Sequence, residues 1–283
     1  MQTIISSKEI YSISKKIKAN KKTVGFVPTM GYLHEGHLSL IRESKRKCDK
    51  TIVSIFVNPT QFAPNEDLEN YPRDMDRDIK LLEKEKVDYV FLPSNKEIYP
   101  KNFQTYISVE HIVQKLEGEF RPTHFRGVST VVLILFNCVQ PDVAFFGQKD
   151  AQQSVVIKQM VQDLKLDTEI VVCPIIREED GLALSSRNVY LSSEERKNAL
   201  VLYQSLELAK KIISMGEKKV NLILTDMYEL YTKIPSARLD YIKIVEADTF
   251  EIVDEIKKGN EYFILVACKI GKTRLIDNTR IRV

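Results

Sequence analysis

TVGFVPTMGYLHEGHLSLIRESKRK, Thr23 to Lys47, is the stretch on which the fold turns. Thr23–Thr29 is apolar without alternation, the mark of a strand buried on both faces. Leu38–Lys47 has helical spacing. Between them stand Gly31, Gly36 and two of the chain's four histidines, His34 and His37. A strand that passes through a glycine turn into a helix presents free N–H groups and the positive end of the helix to an anion.

The same alternation continues outward. TIVSIFVN (Thr51–Asn58), DYVFLP (Asp88–Pro93), DVAFFG (Asp142–Gly147) and TEIVVCPIIR (Thr168–Arg177) read as further strands. Helical patterns over Asp74–Lys86, Val128–Gln140 and Ala151–Leu164 fall between them, and Val128–Gln140 is apolar all round. Alternating strands and helices predict an α/β fold with a doubly wound, Rossmann-like parallel sheet. After Arg177 the order changes. A helix capped by Ser192 or Ser193 and a second over NLILTDMYELYTKI precede the strands LDYIKIVEADTFEIV and YFILVACKIGKTRLIDN. We therefore expect a Rossmann-like domain over residues 1–176 and a smaller α+β domain over 177–283, since 283 residues exceed what one core usually organises.

Bulk composition narrows the function. Lys and Arg number 42 against 39 Asp and Glu, a near balance that argues for no nucleic-acid or membrane-surface partner. The four cysteines are far apart and form no CxxC pair, which points to a reducing compartment. The first residues lack the apolar core of a signal peptide, and the wholly apolar run Val131–Phe136 is too short to span a bilayer. A cytoplasmic protein is expected.

Three clusters carry candidate chemistry. Gly31 and Gly36 have P-loop spacing, but His37-Leu38 follows where Lys-Ser/Thr belongs, so the turn is not a Walker A loop. His34 and His37 lack the spacing of HExxH. They are read either as histidines of an ordinary turn or as donors to phosphate oxygens. FFGQKDAQQ (Phe145–Gln153) again runs from strand through Gly to helix, with Lys149 placed for an anion and Asp150 for Mg²⁺, or else as a plain solvated helix start. DGLALSSRN (Asp180–Asn188) reads as a flexible, donor-rich loop able to close on phosphates, or as an interdomain linker. In a doubly wound sheet the strand ends bearing the first two clusters converge on one crevice.

With these clusters in order, the sequence becomes recognisable. PTMGYLHEGHLSL resembles the HIGH-type signature of class I adenylate-forming enzymes, and LSSRN resembles their KMSKS-type loop. Together with FVNPTQF, RPTHFRGVSTVV, FFGQKDAQQ and REEDGLALSSRNVYL, the match is to the pantoate–β-alanine ligase family, from about Thr23 to Leu191. The resemblance implies an ATP- and Mg²⁺-dependent ligase of (R)-pantoate and β-alanine that works through a pantoyl-adenylate, and a homodimer. It implies that Met30, Gly31, Tyr32, Leu33, His34, Glu35, Gly36 and His37 line the ATP site, with His37 as general acid and His34 beside it on the phosphates. Gly147, Gln148, Lys149 and Asp150 would form a nucleotide segment, with Lys149 on phosphate and Asp150 near Mg²⁺. Ile176 would meet adenine through its backbone, and Leu184, Ser185, Ser186 and Arg187 would close over the nucleotide. Gln61 and Gln153 would contact pantoate, with Asn58 nearby. Arg121 and Arg126 are left to structure or a dimer contact, and His124 to no catalytic part. A nucleotidyltransferase would share the histidine turn without needing the two glutamines. An aminoacyl-tRNA synthetase would need an extension or basic face that is not evident, and a silent nucleotide-binding regulator would not need His37, Lys149 and Arg187 intact.

Overall fold

In the computed structural model, which describes residues 1–64 and 66–283, the chain forms two compact units. The first comprises Met1–Gln148 with Gln152–Pro174, and the second Lys149–Ala151 with Ile175–Val283.

The first unit runs β1 (Gln2–Ile4), α1 (Ser7–Ala19), β2 (Val24–Thr29), α2 (Glu35–Lys47), β3 (Lys50–Ile55), α3 (Met75–Lys84), β4 (Tyr89–Phe91), α4 (Asn95–Ile98), α5 (Glu117–Phe120), α6 (His124–Val139), β5 (Val143–Gly147), α7 (Ala151–Asp163) and β6 (Glu169–Cys173). The strands pair in the order β1-β4-β3-β2-β5-β6, all parallel. Successive strand residues face opposite layers. Phe26, Ile52, Phe91 and Phe146 pack with α1, α6 and α7, whereas Val27, Val53, Val90 and Phe145 pack with α2 and α3. This two-sided burial is why the strands read as continuous apolar runs. The chain proceeds from β2 to β3 and β4 on one side and returns to lay β5 on the other. The topological switch point is therefore between β2 and β5, the place where doubly wound sheets hold ligands.

The sequence reading assigned no element before Thr23, yet β1 occupies the sheet edge beside β4 and α1 lies in the core. The helix read over Val128–Gln140 begins earlier, at His124, and ends one residue sooner, where Gln140 takes a left-handed conformation.

The second unit runs α8 (Ser193–Asn198), α9 (Leu200–Ser214), α10 (Val220–Thr232), β7 (Ala237–Glu246), β8 (Glu261–Ile270) and β9 (Thr273–Arg282). Its strands form one antiparallel sheet, β7-β8-β9. Leu202, Leu206, Ile223 and Met227 from α9 and α10 cover the face built by Ile242, Ile244, Ile264 and Val266. Ser192 caps α8 as read, with Glu195 returning the bond to the Ser192 N–H. The helix read as continuous from there breaks at Ala199. No helix among the described residues is long and apolar enough to cross a membrane.

Candidate active site

The histidine turn is held in an unusual conformation. Gly31 and Tyr32 are both left-handed, at φ 83° and 49°. A Cβ on Gly31 would also come within 2.9 Å of Ile55 Cγ2, so glycine is needed for space as well as for φ. The conformation is fixed from below. Asp78, 1% exposed on α3, accepts from the Tyr32 N–H and the Leu33 N–H, each at 2.7 Å, through its two oxygens. Burial raises the Asp78 carboxyl above its ordinary range, and the two amides pull it back down. Leu33 itself is fully buried.

This places His34 at the N-cap of α2. Its Nδ1 accepts from the Gly36 N–H at 3.2 Å, and the His34 N–H donates to His37 Nδ1 at 3.3 Å. The rings lie 4.1 Å apart, centroid to centroid. With both Nδ1 atoms accepting, each neutral ring carries its hydrogen on Nε2. The pair is thus preset to donate from Nε2, the form that suits phosphate oxygens. A Cβ on Gly36 would stand 2.9 Å from the His34 ring, which explains the second glycine. Glu35 is turned to Arg42 on the surface of α2.

A second group assembles around the loop after β3. Gln61 is 8% exposed, and its Oε1 accepts from Asn58 Nδ2 at 3.1 Å. Gln61 Nε2 donates to Met30 Sδ at 3.2 Å, which joins this loop to the start of the histidine turn. A thioether is a weak acceptor, so a ligand oxygen would readily take its place. Asn58, 1% exposed, is committed within the protein. Its Oδ1 accepts from the Tyr99 hydroxyl at 2.7 Å and the Thr60 hydroxyl at 2.9 Å, and its Nδ2 also donates to the Gly127 carbonyl at 3.1 Å. These bonds orient Gln61.

The RPTHFRG segment, to which sequence reasoning gave no chemistry, packs on the same loop. His124 Nδ1 donates to the Gln61 carbonyl at 3.0 Å, leaving Nε2 facing Arg121 at 3.3 Å. Desolvation, and then the Arg121 charge, lower His124 to about 4, so the ring is neutral at pH 7. Arg121 is clamped on Glu66 by two bonds of 2.8 and 2.7 Å. A Cβ on Gly127 would meet the Thr60 carbonyl at 2.5 Å, and this glycine lets α6 touch the loop backbone. Arg126 instead stacks over Tyr106, 4.0 Å from the ring centroid.

On the far side of the switch point, β5 ends at Gly147, and Gln148–Asp150 form a short 3-10 turn into α7. Asp150 is exposed there. Gln152 is buried in structural work, accepting from the Glu117 N–H at 3.0 Å and donating to the Ile112 and Lys115 carbonyls at 2.7 and 2.8 Å. Gln153 follows about 100° further round the helix.

The second unit holds Lys149 and the 181–188 loop. The Leu184 N–H donates to the Ile176 carbonyl at 3.0 Å, and Arg177 bridges to Ala183, so Ile176 and Leu184 form the stem of a small hairpin. Ser185 caps the turn that contains Ser186 and Arg187, accepting from the Arg187 N–H at 3.2 Å. Leu182 and Ala183 of this loop are buried, and Gly181, at φ 99°, serves close approach: a Cβ there would lie 2.1 Å from the Tyr203 ring. No cluster of three or more metal-ligating side chains occurs among the described residues.

A parallel sheet of Rossmann order, with a donor-bearing glycine turn opening a helix at its switch point, is the class of fold that holds anionic ligands at that point. The family model described as "Pantoate-beta-alanine ligase" matches residues 2–280. The pantothenate synthetase of Caldicellulosiruptor bescii is 57% identical over 98% of both chains. Among solved structures, pantothenate synthetase from Thermus thermophilus superposes with a TM-score of 0.94 at 43% identity over the whole of both chains. The Francisella tularensis pantoate-beta-alanine ligase, complexed with beta-gamma ATP and beta-alanine, superposes at 0.78 with 38% identity over 99% of this chain and 97% of its own. The chain belongs to the pantoate–β-alanine ligase family.

Proposed function

We propose that the protein condenses (R)-pantoate with β-alanine in two steps, using ATP and releasing AMP and pyrophosphate. In the first, a pantoate carboxylate oxygen attacks the α-phosphorus. The new P–O bond forms as the bond to the bridging oxygen breaks, and pyrophosphate leaves. In the second, the β-alanine amine attacks the activated carbonyl, loses a proton, and expels AMP. The observation that carries this reading is the full-length family match together with the imidazole pair at the switch point, whose Nε2 hydrogens suit the oxygens that gain charge at phosphorus.

The residue roles are those the family resemblance implies, and the chemistry of each group suits them. His37 and His34 donate to the phosphates from Nε2, and His37 would serve as general acid once it has taken up a second proton. The Gly31–Gly36 backbone receives the nucleotide at the helix start, and Met30 borders it. Lys149 and Arg187 supply positive charge to phosphate, with Ser185 and Ser186 as donors. Gln61, oriented by Asn58, and Gln153 meet pantoate, whose hydroxyls need partners that both donate and accept. Asp150 is an exposed carboxylate at the start of α7, and that donor fits Mg²⁺, which binds through one or two carboxylates plus substrate phosphates and needs no cage of protein ligands. Such an ion would neutralise charge on the phosphates. We further propose that the protein works in the cytoplasm as a homodimer.

The test is isotope exchange. With ATP, Mg²⁺ and pantoate but no β-alanine, labelled pyrophosphate should enter ATP, and omission of pantoate should abolish it. Exchange that requires β-alanine would reject the adenylate-first order. Absence of AMP release with all three substrates would reject the ligase reading.

A further inference from the structure

Asn278 belongs to no motif and lies on β9, 1% exposed. Its Nδ2 donates to the carbonyl of Lys149 at 2.9 Å, across 129 residues of sequence. The strand that carries it is paired along its length with β8, where Asn278 stands opposite Leu265. Its neighbour Asp277, on the opposite face, grips Arg177 through two bonds of 2.6 and 3.0 Å. Arg177 in turn donates to the Gly181 carbonyl at 3.0 Å and to the Asn278 carbonyl at 3.2 Å. Asp and Asn are both depleted in strands, and neither is buried without partners. Here they stand side by side in a strand interior, and their partners are the backbone of Lys149 and the stem of the 181–188 loop.

We propose that Asn278 is a positioning residue of the ligase, fixing the backbone from which Lys149 extends. This rests on the reading that Lys149 holds phosphate. Lys149 lies in the three-residue 3-10 turn Gln148–Asp150, before α7 begins. A long flexible ammonium acts only as well as its Cα is placed, and a misplacement of about 1 Å can cost about 10²-fold in rate. The Asn278 amide supplies the constraint from a strand held by its own ladder to β8.

The experiment is a double-mutant cycle read by pantoate-dependent pyrophosphate–ATP exchange, with thermal midpoints measured alongside. Asn278→Ala is expected to lower the maximal exchange rate about 10- to 100-fold while the pantoate KM stays within about twofold. In a Lys149→Ala background the same change should do nothing further, because the side chain it positions is gone. Asn278→Leu fills similar volume without a donor and gives the same reading if the alanine variant folds poorly. A folded Asn278 variant with wild-type exchange overturns the proposal, as does a loss that multiplies with that of Lys149→Ala. Full exchange by Lys149→Ala alone would overturn the phosphate reading of Lys149, and this proposal with it.

Discussion

Replacing Asp78 by Asn asks whether a side chain of α3 sets the geometry of the histidine turn. The carboxylate gives one oxygen to the Tyr32 N–H and the other to the Leu33 N–H, both at 2.7 Å. An amide of the same shape has one acceptor oxygen, and its NH₂ group would face a backbone N–H. Losing one charge-assisted bond and orphaning its buried donor costs about 1.5–3 kcal/mol. Removing the charge also relieves the desolvation that raises the Asp78 carboxyl, so the lower part of that range, about 1.5–2 kcal/mol, is expected. For a unit of this size that lowers the thermal midpoint by about 3–8 °C. The catalytic consequence is separate. Tyr32 sits at φ 49°, a conformation that costs a non-glycine residue about 1–2 kcal/mol, and Asp78 is what holds it there. Without that hold the turn relaxes and both imidazoles move with it. AMP release at saturating substrates should then fall about 10- to 100-fold. An Asp78→Asn variant with unchanged midpoint and turnover would refute the reasoning. A lowered midpoint with wild-type turnover would confine Asp78 to the fold and cut its link to the histidines.

Three further outcomes are expected. Gly127→Ala should press a methyl against the Thr60 carbonyl, 2.5 Å away, cost about 1–3 kcal/mol, and raise the pantoate KM more than the ATP KM; equal rises would separate α6 from Gln61. Gly181→Ala should destabilise by about 2–4 kcal/mol, since it meets the Tyr203 ring at 2.1 Å and holds φ 99°, and Tyr203→Ala should relieve the steric part; no relief in the double variant would place the cost in the backbone alone. His124 stays neutral in the folded protein down to about 4, whereas the unfolded chain takes up its proton near the ordinary value of 6.5. Its contribution is therefore complete above about pH 6.5 and is lost as pH falls toward 4, by up to about 3 kcal/mol, and urea unfolding of His124→Asn should lack that slope.

The central strands and their helices were legible because burial on both faces leaves apolar runs that polar turns punctuate. The first two elements were not. Gln2–Ile4 is too short to show a period, and Ser14 takes a fully buried place on α1 where a sequence reader expects an apolar residue. Among the candidate residues, His34, His37, Lys149 and the serine loop announce themselves by residue type and local spacing. Asp78 does not, because an acidic residue in a first helical turn already has a sufficient explanation in the helix dipole. Its partners lie 45 and 46 residues away. Asn278 is hidden for the same reason at greater range. RPTHFRG is an intermediate case. The segment could be seen as distinctive, but only coordinates reveal that Arg121, His124 and Gly127 converge on the backbone beside Gln61.

The placement of β1 and α1 bears on how the chain is made. Ile10 and Ile17 of α1 share a core with β2 and with the later helix α6, and β1 pairs with β4, so neither early element has all its partners when it leaves the ribosome. Synthesis proceeds at about 5–20 residues per second, and Val139 emerges about 120 residues after Ala19, an interval of about 6–24 seconds. Through that interval the apolar stripe of α1 lacks the α6 side chains that complete its cover in the folded protein. The segment's many lysines, at positions 8, 15, 16, 18, 21 and 22, keep it soluble and mutually repelling while it waits.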